Sequence, residues 1–104
     1  MFARNVSLRL KPNTLPMFTK TFEEHVLPLL QKQPGFQDEI VLENEGIHVT
    51  AISLWDSKEH ADAYDKSAYA QVLTSLERVL DGQPKVRVVT VVHSTVHQHA
   101  AVTA

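Results

Sequence analysis

The chain has 104 residues, a formal net charge of −2 and no cysteine. This length fits one domain, and the cysteine count excludes disulfides and thiolate metal sites. No stretch clusters basic residues, approaches the roughly 20 apolar residues of a membrane span or resembles a signal peptide, so we expect a cytoplasmic protein that binds neither nucleic acid nor membrane.

The first third of the chain predicts a strand followed by a helix. Apolar and polar residues alternate over residues 2–10, with Val6 and Leu8 on the core side and Asn5 on the other, although Arg4 interrupts the apolar series. Residues 14–33 repeat apolar side chains at helical spacing, and Pro28 predicts a kink near Glu24.

The rest of the chain predicts a hairpin, a helix and a last strand. Residues 36–43 and 47–55 predict two strands joined by the turn ENEG. Asp56 or Ser57 is expected to cap the next helix, with Glu59 completing a capping box. That helix pauses near residue 66 and resumes to residue 80. Residues 85–97 predict a long strand, and 98–104 a loose tail.

The predicted order, βαββαβ, defines the fold class as α+β. Two strand–helix–strand crossovers around a central hairpin give a four-stranded antiparallel sheet with helices on one face, the ferredoxin-like arrangement. We expect one domain over residues 2–97.

The face of this sheet without helices needs a second cover. The third and fourth predicted strands carry apolar residues at both odd and even positions, and therefore on both faces of the sheet. Examples are Ile52 and Val49 in the third strand and Val88 and Val89 in the fourth. A face in water would be polar, so we expect a homodimer in which the two sheets face each other. The alternative is that valine is present for its strand propensity alone. In the dimer, Asn5 would be a polar group in a partly apolar chamber suited to a small molecule.

Four features together resemble a known family. They are the βαββαβ order and the segments VLPLLQKQPGF, ISLWDSKEHADAY and HSTVH. Over about residues 2–97 the chain is similar to antibiotic biosynthesis monooxygenase domains, which are dimeric α+β barrels. Members of that family include cofactor-independent monooxygenases that oxidise phenolic or anthrone-like compounds to quinones, haem-degrading proteins, and proteins without established activity.

The resemblance to the first two branches implies different site residues. The quinone-forming branch uses polar and aromatic pocket residues, which Asn5, Trp55 and Tyr64 supply in kind. In the haem-degrading branch, Asn5 matches a strand residue and Tyr64 falls where that branch has Trp. Its iron-binding His would fall near Leu73 or Thr74, and neither is a ligand.

The candidate catalytic residues are Asn5, His60 and Tyr64, and the candidate substrate-binding residues are Trp55 and Arg9. His60 and Tyr64 are four residues apart and share a helix face, so His60 could accept a phenol's proton while Tyr64 or Asn5 binds the oxyanion. The alternatives are an exposed His60, core packing for Trp55 and Tyr64, and surface charge for Arg9.

A metal and other cofactors are not expected. His93, His97 and His99 could approach one another on the last strand, but no acidic residue accompanies them in the sequence. Nucleotide-binding and hydrolase motifs are absent. The sequence therefore favours a cofactor-independent monooxygenase acting with dioxygen on a phenolic or hydroquinone-type small molecule. The alternative is a small-molecule-binding or stress-associated dimer without catalytic activity.

Overall fold

The computed structural model of the chain describes residues 1–96. The strands are β1 (Phe2–Arg9), β2 (Phe36–Asn44), β3 (His48–Trp55) and β4 (Lys85–Thr90). The helices are α1 (Leu15–Thr21), α2 (Leu27–Gln31), α3 (Lys58–Lys66) and α4 (Tyr69–Leu76), with a π-helical stretch, Phe22–Val26, between α1 and α2. The predicted tail and the end of the predicted last strand lie outside the described residues.

The sheet confirms the predicted topology. Its strand order is β2-β3-β1-β4, and every neighbouring pair is antiparallel. The helices pack on one face, which we call the inner face, and we call the other the outer face. Side chains alternate between the faces, so Arg4, Val6 and Leu8 of β1 point inward and Asn5 and Arg9 point outward. The α+β ferredoxin-like fold is therefore established.

The first predicted helix is interrupted where Pro28 requires it. Proline has no amide hydrogen to donate to the carbonyl of residue 24. The chain widens instead into the π stretch, at whose end the Leu27 N–H donates to the Phe22 carbonyl five residues earlier. Phe22 and Val26 of this stretch are buried. The irregularity expected near Glu24 is therefore a π segment that keeps its apolar side chains in the core.

The hairpin and the second helix begin as expected. Glu45 and Gly46 both have positive φ angles, of 57° and 69°, as the two central residues of a type I′ β-turn do, and the Ile47 N–H closes this turn by donating to the Asn44 carbonyl. The Ser57 hydroxyl accepts from the His60 amide and caps α3. Asp56 does not cap the helix, because its carboxylate binds the His60 ring instead.

Two predicted strands differ from the structure. β4 ends at Thr90, and the described residues beyond it are not in a strand. In β2, a bulge between Phe36 and Asp38 inserts one residue against β3. Because side chains alternate with a period of exactly two residues, one extra residue moves every later side chain to the other face. Ile40 and Leu42, which would share a face with Phe36 if the bulge were absent, therefore lie on the outer face and are exposed.

The core lies between the inner face and the helices. Trp55 is fully buried, and its ring stacks on Tyr64 at 5.0 Å and meets Phe36 edge-on at 5.7 Å between centroids. The remaining core is aliphatic and phenylalanine-rich, and includes Val6, Leu8, Leu10, Phe18, Phe22, Val26, Leu30, Val49, Val72, Leu76 and Val79.

Candidate functional site

A row of polar side chains crosses the inner face. Arg4 of β1 lies opposite Ser53 of β3, and Ser53 lies opposite Glu39 of β2. Directly opposed residues of antiparallel strands point to the same face. The three side chains, which we call the polar row, therefore lie side by side beneath the helices, where apolar residues are expected.

Arg4 is the most buried charged residue in the described part of the chain, with 1% of its surface exposed. Its guanidinium donates to Asp65 of α3 at 2.5 Å, and its central carbon lies 4.0 Å from the Tyr69 ring centroid and 5.1 Å from that of Tyr64. These contacts are favourable for a desolvated cation. However, the Arg4 Nε–H is buried and has no hydrogen-bond partner among the described residues.

Glu39 reaches the inner face because of the β2 bulge. Its Oε1 atom is buried without a hydrogen-bond partner among residues 1–96. Burial, and to a smaller extent the charge of Asp38, raise the pKa of this carboxyl to about 8 although the Arg4 charge opposes the shift. A carboxyl with such a pKa exchanges protons near neutral pH, as general acids and bases do.

A narrow cavity runs from the polar row into the core. Its volume is about 30 Å³, which is room for about two water molecules, so an aromatic ligand would enter only if the helices above it move outward. One end of the cavity is lined by Arg4, Glu39 and Ser53. Val6 and Leu8, which follow Arg4 along β1, line the part that extends into the core. The roof comes from the helices and the π stretch, and consists of Phe22, Val26, Leu30, Tyr64, Tyr69, Val72, Leu73 and Leu76. Apolar walls with a few convergent polar groups are typical of small-molecule sites.

Tyr64 and Tyr69 flank the break between α3 and α4. Their ring centroids are 5.9 Å apart, and burial raises the pKa of both phenols, so both stay neutral at physiological pH. Trp55 lies one row beyond the polar row and does not line the cavity. Its indole N–H donates to the Ser53 hydroxyl at 2.8 Å, which fixes the middle of the row.

The predicted chamber holding Asn5, Trp55 and Tyr64 is wrong, because these residues are not on one face. Trp55 and Tyr64 pack together on the inner face, whereas Asn5 lies on the outer face opposite Ile52 and Arg87. The Asn5 side-chain oxygen is buried there without a partner among the described residues.

His60 and Arg9 also lie away from the cavity. The His60 Nδ1 is 2.6 Å from the Asp56 carboxylate, and both side chains are more than 40% exposed. A hydrogen bond from His60 lowers the pKa of Asp56. Gly35 packs against this pair so closely that a Cβ would collide with it. Arg9 pairs at the surface with Asp81 at 3.4 Å.

The sequence patterns did not identify Arg4 and Glu39 as candidate site residues. Arg4 carried a signal, since a charged residue stood on the apolar parity of β1. Glu39 carried none, because strict alternation along β2 without the bulge would point its side chain outward. No group of three or more metal-ligating side chains occurs within residues 1–96, and His97 and His99 lie outside them. The described helices include none long and apolar enough to cross a membrane.

The fold and the cavity define a ferredoxin-like α+β domain with a polar-ended pocket between sheet and helices. The family model described as antibiotic biosynthesis monooxygenase matches residues 1–74. The chain therefore belongs to this family, as the sequence motifs predicted. No curated protein matches the chain.

Solved structures similar to this one include two oxygenases of Streptomyces. A monooxygenase of Streptomyces coelicolor in complex with nanaomycin D is 19% identical, with a TM-score of 0.74 and coverage of 89% of this chain and 88% of that one. SnoaB, a cofactor-independent oxygenase of Streptomyces nogalater, is 14% identical, with a TM-score of 0.73 and coverage of 90% and 95%.

A third similar structure belongs to a haem degrader. MhuD of Mycobacterium tuberculosis, with two haems in its active site, is 17% identical, with a TM-score of 0.74 and coverage of 91% and 99%. At these identities the structural likeness establishes the shared fold alone, and the chemistry must be argued from the residues of this chain.

Proposed function

We propose that the protein is a cofactor-independent monooxygenase that oxidises a small phenolic or hydroquinone-type compound in the cavity between its sheet and helices. The observation that carries this proposal is the Nε–H of Arg4, a residue at the polar end of a mostly apolar cavity, which is buried and has no partner among the described residues. A buried donor without a partner costs about 1–3 kcal/mol, and a ligand oxygen would remove that cost.

The proposed chemistry needs few protein groups. An ionised phenol is electron-rich enough to reduce dioxygen, so the protein must bind the phenol, favour its anion and exclude water. Arg4 would donate its Nε–H to the phenolate oxygen and stabilise it with its positive charge, a role that the sequence patterns assigned to Asn5 or Tyr64. Tyr64 and Tyr69 would pack on the substrate ring from the roof, and Trp55 would support Tyr64 from behind.

Haem fits the described residues poorly. Of the residue types that ligate haem iron, only the tyrosines line the cavity, and burial raises the pKa of Tyr64 and so disfavours the tyrosinate. Leu73, at one position expected for an iron-binding His, is part of the apolar wall. We therefore derive no step through haem.

A homodimer is part of the proposal. The outer face exposes Ile40 and Leu42 at 43% and 53%, with Ile52 and Leu54 beside them on β3. A second copy offers the same apolar surface and would cover it in a two-fold symmetric pair. Asn5 and Arg9 lie on this outer face, so we assign them to the interface side of the sheet rather than to the reaction.

Oxygen uptake tests the proposed activity. We expect the protein to consume dioxygen with at least one member of a panel of hydroquinones and anthrones, and Arg4→Met to consume it at least tenfold more slowly. Glu43→Gln, an exposed carboxyl of β2, is the matched control and should behave as the wild type. Binding of panel members without oxygen uptake would instead support the small-molecule-binding alternative.

A further inference from the structure

The polar row holds a second buried atom without a partner in the described part of the chain, the Oε1 of Glu39. Glu39 and Arg4 lie on either side of Ser53 and line the same end of the cavity. Glu39 is a carboxyl that can exchange a proton, and Arg4 is a permanently charged cation that can donate a hydrogen bond. A phenol hydroxyl complements both, since its oxygen accepts from Arg4 while its proton goes to Glu39.

We propose that Glu39 is the proton-transfer residue of the cavity, taking the proton from the substrate hydroxyl and returning it to the peroxide formed with dioxygen. This inference rests on the proposed function. It replaces His60, whose ring lies at the protein surface against Asp56.

The steps balance for a phenol that carries hydrogen on the ring carbon opposite its hydroxyl. The O–H bond breaks, its proton binds Glu39, and its electron pair stays on the oxygen held by Arg4. The phenolate passes one electron to dioxygen, and the two radicals combine at the opposite ring carbon. Glu39 protonates the resulting peroxide. Its carboxylate then removes the ring C–H proton while the O–O bond breaks, and the departing hydroxide leaves with that proton as water. The products are one quinone and one water.

The surroundings of Glu39 support this role. On the inner face it lies near Arg4 of β1, whose charge lowers its pKa, while the charge of its chain neighbour Asp38, on the outer face, raises it. The roof contributes Tyr64 and Tyr69, whose raised pKa values keep them neutral, while the π stretch and α2 contribute only apolar side chains to the cavity. Asp65 neutralises Arg4 from above. With a pKa of about 8, Glu39 is the group at this end of the cavity that changes charge between pH 7 and 9.

Binding of 4-nitrophenol tests the inference without turnover. This phenol is already an anion above pH 8 in water, its phenolate is coloured, and its ring is too electron-poor to oxidise readily. Its anion should bind beside Arg4 only when Glu39 is protonated. We therefore expect the dissociation constant of the wild type to rise about tenfold per pH unit above pH 8, with nearly one proton taken up per anion bound at pH 9.

Variants separate the two proposals. Glu39→Gln should bind the anion with an affinity that does not change from pH 8 to 10, and Glu43→Gln should follow the wild type. If Glu39→Gln fails to fold, Glu39→Asp should keep a pH-dependent affinity. A wild-type affinity that is flat over this range, with no proton uptake, overturns the role of Glu39 alone. If 4-nitrophenol does not bind the wild type, both proposals are overturned.

Discussion

Each face of the sheet departs from the usual polarity at one place. The inner face, beneath the helices, carries the polar row of Arg4, Ser53 and Glu39. The outer face, without helices, exposes Ile40 and Leu42. Burying polar groups and exposing apolar ones both cost stability. The proposed ligand binding on the inner face and the proposed association on the outer face would each offset part of this cost.

Trp55→Ala gives the largest expected effect, because it removes the inner-face side chain with the least exposure. The stack on Tyr64 and the edge contact with Phe36 are lost, and a cavity forms behind the polar row. We expect the free energy of unfolding to fall by about 3–5 kcal/mol, measured by urea denaturation. Val88→Ala, at a 40% exposed site, is the control and should cost under about 1 kcal/mol. Equal losses of unfolding free energy in Trp55→Ala and Val88→Ala would contradict the placement of Trp55 in the core.

Glu39 should make stability depend on pH. Its pKa in the fold, about 8, lies above the ordinary value of 4.5, so the fold favours the protonated form. The stability that this proton provides is fully present below pH 4.5 and is lost as the pH rises to 8. Between pH 5 and pH 8 the wild type should lose about 2–4 kcal/mol relative to Glu39→Gln, measured by urea unfolding. If the free energies of unfolding of the wild type and of Glu39→Gln changed with pH in the same way, Glu39 would not be desolvated on the inner face.

Arg4→Met should separate binding from stability. The substitution removes the charged guanidinium that donates the hydrogen bond, so the affinity for 4-nitrophenolate should fall about 10–100-fold. The fold should stay within about 1 kcal/mol of the wild type, because methionine fills the space and Asp65, 51% exposed, is hydrated without its partner. Unchanged affinity together with a large loss of stability would mean that Arg4 serves packing rather than the ligand.

Ile40→Asp tests the outer face. A charge buried in a sheet-to-sheet interface is left unpaired, so dimer affinity should fall at least tenfold, measured by analytical ultracentrifugation. Met17→Asp, at a 55% exposed apolar site on α1, is the matched control and should leave association unchanged. A wild type that sediments as a monomer at micromolar concentration would remove the dimer from the proposal.

His60→Ala should have the smallest effect. The His60–Asp56 pair is solvent-exposed, so we expect a loss of stability below about 1 kcal/mol and no change in 4-nitrophenolate affinity. A large loss of affinity would restore His60 as a site residue and would contradict the placement of the site on the inner face.

Local patterns in the sequence were sufficient for the element order, the fold and the family. Some features determine the structure of only the few residues around them, so their consequences could be predicted without knowing the rest of the chain. They are the alternation over β1, the ENEG turn, Pro28 and the capping Ser57. The same patterns marked Trp55 and Tyr64 as aromatic residues at one corner, and the structure stacks their rings.

The tertiary structure alone decided which face each polar group occupies. The β2 bulge appears only when β2 pairs with β3, and one inserted residue exchanges the two faces, bringing Glu39 inside and sending Ile40 outside. Strand pairing likewise places Arg4 beside Ser53, and the roof brings Asp65 within reach of Arg4. Such contacts join residues far apart in the chain, and their energies depend on burial, which no local pattern encodes.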